Sequence, residues 1–308
     1  MKRRAFLLAP LALAAAGRLL AQTTAATLRI VVPAPAGGSV DAVARLLADK
    51  LKGIYAPAVV VENVASAGGR AGVLEAKNAA PDGATVLFTP DYPLTVYPHV
   101  LPKVGYDPVK DFVPIALMVR SPVAFALGPA SPAEVKSPKD FAAWAKANPQ
   151  RASCFAQGSA QLAAALFSRE AGVKLARSSK QDAAILFSTL SDLVPDLRAG
   201  NARALAVSGA RRAGLLPDVP TLAEAGFASV DVMPWLGFFA PAGTPAAAVR
   251  RLVNAVNDAS GYGAVQAELF KLGFDPVAMT PVGFANAVKA DLERWASLAK
   301  ASGFSAEG

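Results

Sequence analysis

Cysteine and histidine are nearly absent from this chain of 308 residues, which holds one of each, Cys154 and His99. A lone cysteine excludes an intramolecular disulfide framework, and one residue of each type is too few for a cysteine–histidine zinc site. Neither has a nucleophile or base partner in the neighbouring sequence, so we expect His99 to be structural and Cys154 to be a buried apolar residue. We therefore expect no metal, no cofactor and no catalysis.

Charge is also scarce, since charged residues make up 18% of the chain and hydrophobic residues 53%. This balance predicts a real apolar core and argues against disorder. The formal net charge is +8, and it falls to +4 (27 basic against 23 acidic residues) if the first 21 residues are removed. So small an excess of basic over acidic residues, without a dense basic stripe, excludes a typical nucleic-acid-binding surface.

Long apolar runs are missing beyond the N-terminus. Met1–Leu8 contains three basic residues, an apolar stretch follows to Ala16, and small Ala21 suits a cleavage site. The layout is that of a signal peptide over residues 1–21, and Arg3-Arg4 also resembles a twin-arginine signal. A short membrane anchor is the alternative, although the stretch falls short of the ~20 residues that span a bilayer. We expect a periplasmic protein.

Strand-like and helix-like segments alternate along the rest of the chain. Leu28–Pro33 is a continuous apolar run, typical of a strand buried on both faces, and Val40–Lys52 keeps helical spacing. The same alternation recurs to the C-terminus, which predicts an α/β fold with a mostly parallel sheet. A chain of this length is expected to form two lobes.

Glycine-rich loops stand at the predicted strand-to-helix junctions. The first is Pro33–Asp41, and similar loops are Ser66–Gly69, Gln157–Ser159 and Ser188-Thr189. Bare amides before a helix N-terminus suit a carboxylate or phosphate, with Ser39 as the expected N-cap. Taken alone, the first loop also fits a simple tight turn and cap. Because carboxyl ends of parallel strands share one edge, several such loops together favour a ligand cleft.

A series of short sequence blocks spans nearly the whole chain beyond residue 21. The blocks are Ile30–Asp41, Val60–Asn63, Ala67–Gly69, Ala80–Gly83, Tyr106–Pro108, Asp111-Phe112, Leu197–Gly200, Arg203–Val207, Leu216–Thr221, Glu224–Gly226, Trp235, Gly237 and Ala240–Pro245. In sequence and in order, they resemble the Bug/TctC-type solute-binding receptors of tripartite tricarboxylate transporters.

The resemblance implies a type II periplasmic-binding-protein fold with two α/β lobes and two crossing strands, near Val119–Leu127 and Trp235–Ala240. The lobes would comprise residues 22–122 with 237–308, and residues 123–236. It also implies a monomeric receptor that captures a small organic carboxylate for a membrane transporter or a sensor. An exported protein of this fold that has lost ligand binding, or that acts as an enzyme, is the alternative.

The resemblance also carries site residues over by position. Two loops would clamp the carboxylate, and further residues would line the cleft. The first loop supplies Pro35, Ala36, Gly37, Gly38, Ser39 and Asp41. The second loop supplies Gly158, Ser159 and Gln161, and the wall supplies Asp91, Tyr92, Ser188, Thr189 and Trp235.

The second lobe departs from the family pattern. After Val173 the family has a strand, a loop, a helix and then the next strand, whereas here Lys174–Asp182 alone precedes that strand. A parallel crossover takes about a dozen residues, so a helix is expected to be missing. We therefore expect a shortened second lobe.

Overall fold

A computed structural model describes residues 26–302, so the predicted leader at residues 1–21 lies outside the described residues. The strands are β1 (Thr27–Val32), β2 (Ala58–Asn63), β3 (Thr85–Pro90), β4 (Phe112–Arg120), β5 (Val123–Leu127), β6 (Ser153–Ala156), β7 (Ala176–Arg177), β8 (Ile185–Thr189), β9 (Arg203–Val207), β10 (Trp235–Pro241) and β11 (Asp275–Pro276). The helices are α1 (Ser39–Leu51), α2 (Arg70–Lys77), α3 (Tyr92–Thr95), α4 (Tyr97–Val100), α5 (Pro138–Ala147), α6 (Ala160–Ala171), α7 (Leu190–Ala199), α8 (Ala246–Gly261), α9 (Gly263–Lys271) and α10 (Pro281–Ser302).

Two sheets form the centres of two lobes. The first has the strand order β11-β4-β10-β3-β1-β2 and the second β7-β6-β8-β5-β9. Strand β1 pairs in parallel with β2 and β3, and β6 with β7 and β8. In contrast, β10 is antiparallel to β3 and β4, and β5 is antiparallel to β8 and β9. The two-lobed α/β fold is confirmed, but the expectation of a mostly parallel sheet is wrong.

Apart from the two-residue β11, which follows α9 and runs against β4, the antiparallel pairs involve the strands that arrive from the other lobe. The chain leaves β4 at Arg120 and begins β5 at Val123, and it returns to the first sheet when β10 begins at Trp235. An arriving strand starts at the edge facing the other lobe, where its neighbours end, so it must run against them. The two crossings are adjacent, since the Ser121 amide donates to the Pro234 carbonyl at 3.0 Å. The second crossing therefore lies immediately before Trp235, next to the Trp235–Ala240 segment near which the sequence placed it.

Helices cover both faces of each sheet. Side chains of α1, α8 and α9 pack on one face of the first sheet, and those of α2 and α10 on the other. In the second lobe, α5 and α6 lie opposite α7. This two-sided burial accounts for uninterrupted apolar strands such as Ile30–Val32, which is fully buried. Across residues 26–302, none of the helices combines the length and hydropathy that crossing a bilayer demands.

The second lobe is shortened as expected. Strand β7 ends at Arg177 and β8 begins at Ile185, and residues 178–184 form a loop with a turn instead of a helix. The Ser178 amide bonds the Cys154 carbonyl at 3.0 Å, and the Ala184 amide bonds Ser153 Oγ at 3.0 Å. The loop is therefore anchored at both ends on the first two residues of β6.

Candidate functional site

A cleft of about 410 Å³ lies between the lobes, at the edges where the strands of both sheets end. That volume is in the range of small-molecule sites. Its wall combines three strand-to-helix loops with residues of the crossings. The lining residues are Ala34, Pro35, Gly38, Ser39, Val40, Pro90, Asp91, Tyr92, Ser121, Phe155, Gln157, Gly158, Ser159, Lys180, Ser188, Thr189, Ser191, Asp192, Pro234, Trp235, Leu236 and Phe274.

The first loop leads into α1, whose first turn faces the cleft. Gly38 occupies the N-cap position, and the Ala42 amide makes the first helical bond, to the Gly38 carbonyl at 3.0 Å. The expectation that Ser39 caps this helix is wrong. Its hydroxyl instead donates to Asp192 Oδ1 of the second lobe at 2.5 Å. The amides of Ser39 and Val40 precede the first helical donor, so helix geometry leaves them without an intrahelical acceptor.

Asp41 holds the first loop in place from behind. Its carboxylate accepts bonds from the Gly37 amide at 2.8 Å, Asn63 Nδ2 at 3.0 Å and Arg45 Nε at 2.9 Å. Burial acts to raise the pKa of Asp41, but the bonds from Arg45, Gly37 and Asn63 outweigh burial and lower it. The Gly37 amide is thus committed to Asp41, and Asp41 supports the cleft without lining it.

The second-lobe loop meets the first lobe directly. Gly158 adopts φ +52°, and a Cβ placed there would lie 2.9 Å from Tyr92 Cδ1. The next residue, Ser159, donates from its hydroxyl to Asp91 Oδ2 at 2.7 Å. Helix α6 begins at Ala160, so the amides of Gly158 and Ser159 stand at a second helix N-terminus in the cleft.

Asp91 is a buried carboxyl group at the meeting point of the lobes. Burial raises its pKa to about 7, the Ser159 hydrogen bond opposes the shift, and the charge of Asp291 adds to it. Asp291 lies on α10 and accepts from Trp235 Nε1 at 2.8 Å. Burial raises the pKa of Asp291 too. Trp235 itself is fully buried, with its ring packed edge-on against Phe284.

A third helix N-terminus, that of α7, completes the wall. The Ser191 amide donates to Ser121 Oγ of the crossing at 3.1 Å. Asp192, in the first turn, accepts from Thr189 Oγ1 at 2.8 Å as well as from Ser39. The starts of α1, α6 and α7 thus converge, and each contributes partial positive charge to one cleft, while α1 and α6 also present the amides named above.

The structure brings together ten of the residues carried over from the resemblance. Pro35, Gly38, Ser39, Asp91, Tyr92, Gly158, Ser159, Ser188, Thr189 and Trp235 line the cleft. Ala36, Gly37, Asp41 and Gln161 lie outside its lining, and Gln161 Oε1 accepts from Arg177 at 2.6 Å. The Ser66–Gly69 loop is also outside it, because Gly69 packs on the Pro33 backbone, where a Cβ would lie 2.3 Å from the carbonyl oxygen.

Sequence reasoning missed several lining residues, of which Lys180 and Asp192 carry charge. A signal for Asp192 existed, because Thr189 and Asp192 have the spacing of a capping box at a helix start. Lys180 had none. It lies in the shortened loop, whose path depends on packing against β6.

Cys154 and His99 lie outside the cleft lining. Burial raises the pKa of the Cys154 thiol to about 11, which disfavours the nucleophilic thiolate. Burial lowers the pKa of His99, which sits on α4. Among the described residues, no cluster of three or more His, Cys, Asp or Glu side chains is arranged to hold a metal ion.

Comparison with known proteins identifies the fold and the family. The family model described as "Tripartite tricarboxylate transporter family receptor" matches residues 43–304. A Pseudomonas sp. (strain P51) protein, named for its place in the tcbD-tcbE intergenic region, is 33% identical over 92% of each chain. MatC from Rhodopseudomonas palustris with bound malate is 27% identical with a TM-score of 0.80, over 88% of this chain and 98% of MatC.

A second solved structure from the same organism, Rpa4515 with adipate, is 27% identical with a TM-score of 0.83. It covers 91% of this chain and 98% of that protein. These matches and the two lobes described above agree with the type II periplasmic-binding-protein fold expected from the sequence. The chain therefore belongs to the tripartite tricarboxylate transporter receptor family of solute-binding proteins.

Proposed function

We propose that this protein captures a small organic carboxylate in the periplasm and passes it to a tripartite-type membrane transporter or a sensor. The observation that carries the proposal is the convergence of the α1, α6 and α7 N-termini on one cleft. Three helix starts concentrate positive potential where a carboxylate would sit, and those of α1 and α6 add amide donors. The malate in MatC and the adipate in Rpa4515 are ligands of this class.

Capture would proceed by closure of the lobes about the paired crossings. The bonds from Ser39 to Asp192 and from Ser159 to Asp91 each join one lobe to the other. A ligand held by amides of both lobes adds further bridges and shifts the population toward the closed form. The chain would act as a monomer, exported by its N-terminal leader, with binding rather than catalysis as its task.

A calorimetric titration of the leaderless protein tests the proposal. We expect saturable one-to-one binding of malate or adipate at micromolar or tighter affinity, and no binding of the corresponding diamides, which keep the shape but lack the charge. A thermal-shift panel of mono-, di-, tri- and aromatic carboxylates extends the search. If no carboxylate in that panel binds, capture is refuted, and the alternative of a receptor fold without its ligand takes its place.

A further inference from the structure

The shortened loop of the second lobe brings one lysine to the cleft. Residues 179–182 form a turn, in which Ser179 Oγ donates to Asp182 Oδ2 at 2.6 Å and the Asp182 amide to the Ser179 carbonyl at 3.2 Å. Ser153 Oγ of β6 donates to the Asp182 carbonyl at 3.1 Å. The turn is thus fixed on the sheet, and Lys180 extends from it into the cleft wall.

The Lys180 ammonium is positioned by one partner. Its Nζ lies 2.5 Å from Asp196 Oδ2 on α7, and the side chain is about one-third exposed, at 38%. The long stem can therefore swing between Asp196 and a cleft ligand at little cost, because a partly exposed ion pair contributes only about 1 kcal/mol or less. Asp196 therefore keeps the Lys180 ammonium close to the cleft and still lets it turn to a ligand.

Charge in the cleft explains what this cation can do. Of the lining side chains in the described part of the chain, Lys180 is the sole cation, while Asp91 and Asp192 are acids. One ligand carboxylate can be held by the helix amides. A second would meet the negative charge of Asp192, so a diacid is disfavoured unless a cation balances that charge.

We propose that Lys180 is a specificity-determining residue that binds a second carboxylate and makes the protein select dicarboxylates over monocarboxylates. The inference rests on the proposed function and deepens it. Lys180 lies in the loop that stands where the crossover helix was expected, and from there it reaches the cleft wall. The first carboxylate lies at the helix N-termini and the second at the Lys180 ammonium.

A purely structural role for Lys180 makes a different prediction. In that role the ion pair with Asp196 only pins the loop to α7, so breaking the pair from either side has the same effect. Asp196→Asn breaks the pair but leaves the cation in the cleft, whereas Lys180→Gln removes the cation. Lys174→Gln is the matched control, because Lys174 is an exposed lysine of the same connection outside the cleft lining.

The experiment measures Kd for adipate and for monomethyl adipate by calorimetry in all four proteins. The half-ester differs from the diacid by one charge and is otherwise similar in shape. We expect the wild type to prefer the diacid by about tenfold or more, and Lys180→Gln to reduce that preference to about twofold. Asp196→Asn and Lys174→Gln should keep the wild-type preference. Malate and its monomethyl esters provide a second pair, and melting temperatures verify folding.

The outcomes separate the two proposals. If the wild type binds neither diacid nor half-ester in either pair, the Lys180 inference fails, and carboxylate capture fails with it only when the wider carboxylate panel gives no ligand either. If the wild type binds but without a diacid preference, or if Lys180→Gln keeps the preference, the Lys180 inference is overturned and capture stands. An equal loss of preference in Lys180→Gln and Asp196→Asn also overturns it, in favour of the structural role.

Discussion

Single carboxyl groups set the electrostatics of the cleft, and Asp91 is the buried one of the two aspartates that line it. Its pKa of about 7 lies well above the ordinary value of 3.8. Between those two pH values the folded protein holds a proton that the unfolded chain has lost. The contribution of Asp91 to the free energy of unfolding is therefore intact below pH 4. It falls as pH rises, by at most about 1.4 kcal/mol per pH unit, and levels off above pH 7.

Replacing Asp91 by Asn should therefore flatten the pH dependence of stability. The amide can still accept from Ser159 but cannot ionise, so the free energy of unfolding should decline less between pH 5 and 7 than in the wild type. Urea unfolding across that range measures it. Asp291 retains part of the slope, because its pKa is raised in the same direction. Asp218→Asn, at an exposed carboxylate, is the control, and equal slopes in wild type and Asp91→Asn would contradict the assignment.

Asp192 should oppose an anionic ligand. Its carboxylate lies in the cleft wall and accepts from Ser39, at the place where helix amides point. Asp192→Asn keeps an acceptor but removes the charge. We expect it to lower Kd for a carboxylate ligand about fivefold at low salt. The gain should shrink at high salt through screening.

Calorimetric titrations at two salt concentrations measure this effect, with Asp218→Asn again as the control. Weaker binding by Asp192→Asn would show that the carboxylate contacts the ligand as an acceptor rather than repelling it.

At the scale of elements, the turn before α6 controls how closely the lobes approach. Gly158→Ala introduces two costs, a side chain at φ +52° and a Cβ only 2.9 Å from Tyr92. Gly200→Ala introduces the first alone, because Gly200 has φ +75° and nothing within 4 Å of its Cβ position. Both should lose about 1 kcal/mol of stability from backbone strain.

Only Gly158→Ala should also weaken ligand binding, because its methyl group separates the second-lobe loop from Tyr92. The measurement is Kd for the best carboxylate of the panel, with unfolding free energies alongside. Tyr92→Leu in the Gly158→Ala background should restore part of the affinity by making room. Similar binding by the Gly158→Ala and Gly200→Ala proteins would mean that this contact does not limit closure.

The helices, strands and loops were largely predictable from sequence, because apolar spacing and glycine-rich junctions are local features of the chain. Helix spacing placed α1 within a residue at each end, and glycines followed by Ser39 placed the first loop. What the sequence could not supply were contacts between distant elements. The Ser39 hydroxyl binds Asp192, far along the chain, so it does not cap its own helix. The path of Lys180 into the cleft depends on how the shortened loop lies on β6.

The direction of the strands could not be predicted from local sequence pattern either. A strand buried on both faces has the same apolar character whichever way it runs, so β5 and β10 resembled their parallel neighbours in sequence. Their antiparallel pairing follows from where the chain crosses between lobes, at Ser121 and before Trp235. The family resemblance predicted the crossings, and the topology then required the mixed sheets.

At the scale of the whole molecule, α10 connects the two lobes behind the cleft. Near its start, Phe284 and Val288 pack in the first-lobe core, while Trp295 belongs to the core cluster of the second lobe. That cluster also takes in Val96 and Val100, which flank and end α4. A continuous apolar seam therefore runs across both lobes, and it favours the approach seen here.

Trp295→Ala should loosen this seam more than it disturbs either sheet. Loss of a buried tryptophan costs about 3–5 kcal/mol, and the missing contacts lie between lobes, so the open form gains population. Small-angle X-ray scattering of the ligand-free variant should give a larger radius of gyration than the wild type, and a saturating ligand should reverse the increase. Val282→Ala, at a side chain of α10 that is 70% exposed, should change neither stability nor size.

The same variant distinguishes a hinge from a rigid block. If the lobes close about the crossings, a looser seam lowers ligand affinity, because binding must also draw the lobes together. The looser seam leaves the enthalpy of the ligand contacts in the closed cleft unchanged. If α10 and the crossings instead hold the lobes fixed, Trp295→Ala destabilises the fold without changing the ligand-free size. An unchanged radius of gyration alongside a lowered melting temperature would therefore refute closure as the step that traps the ligand.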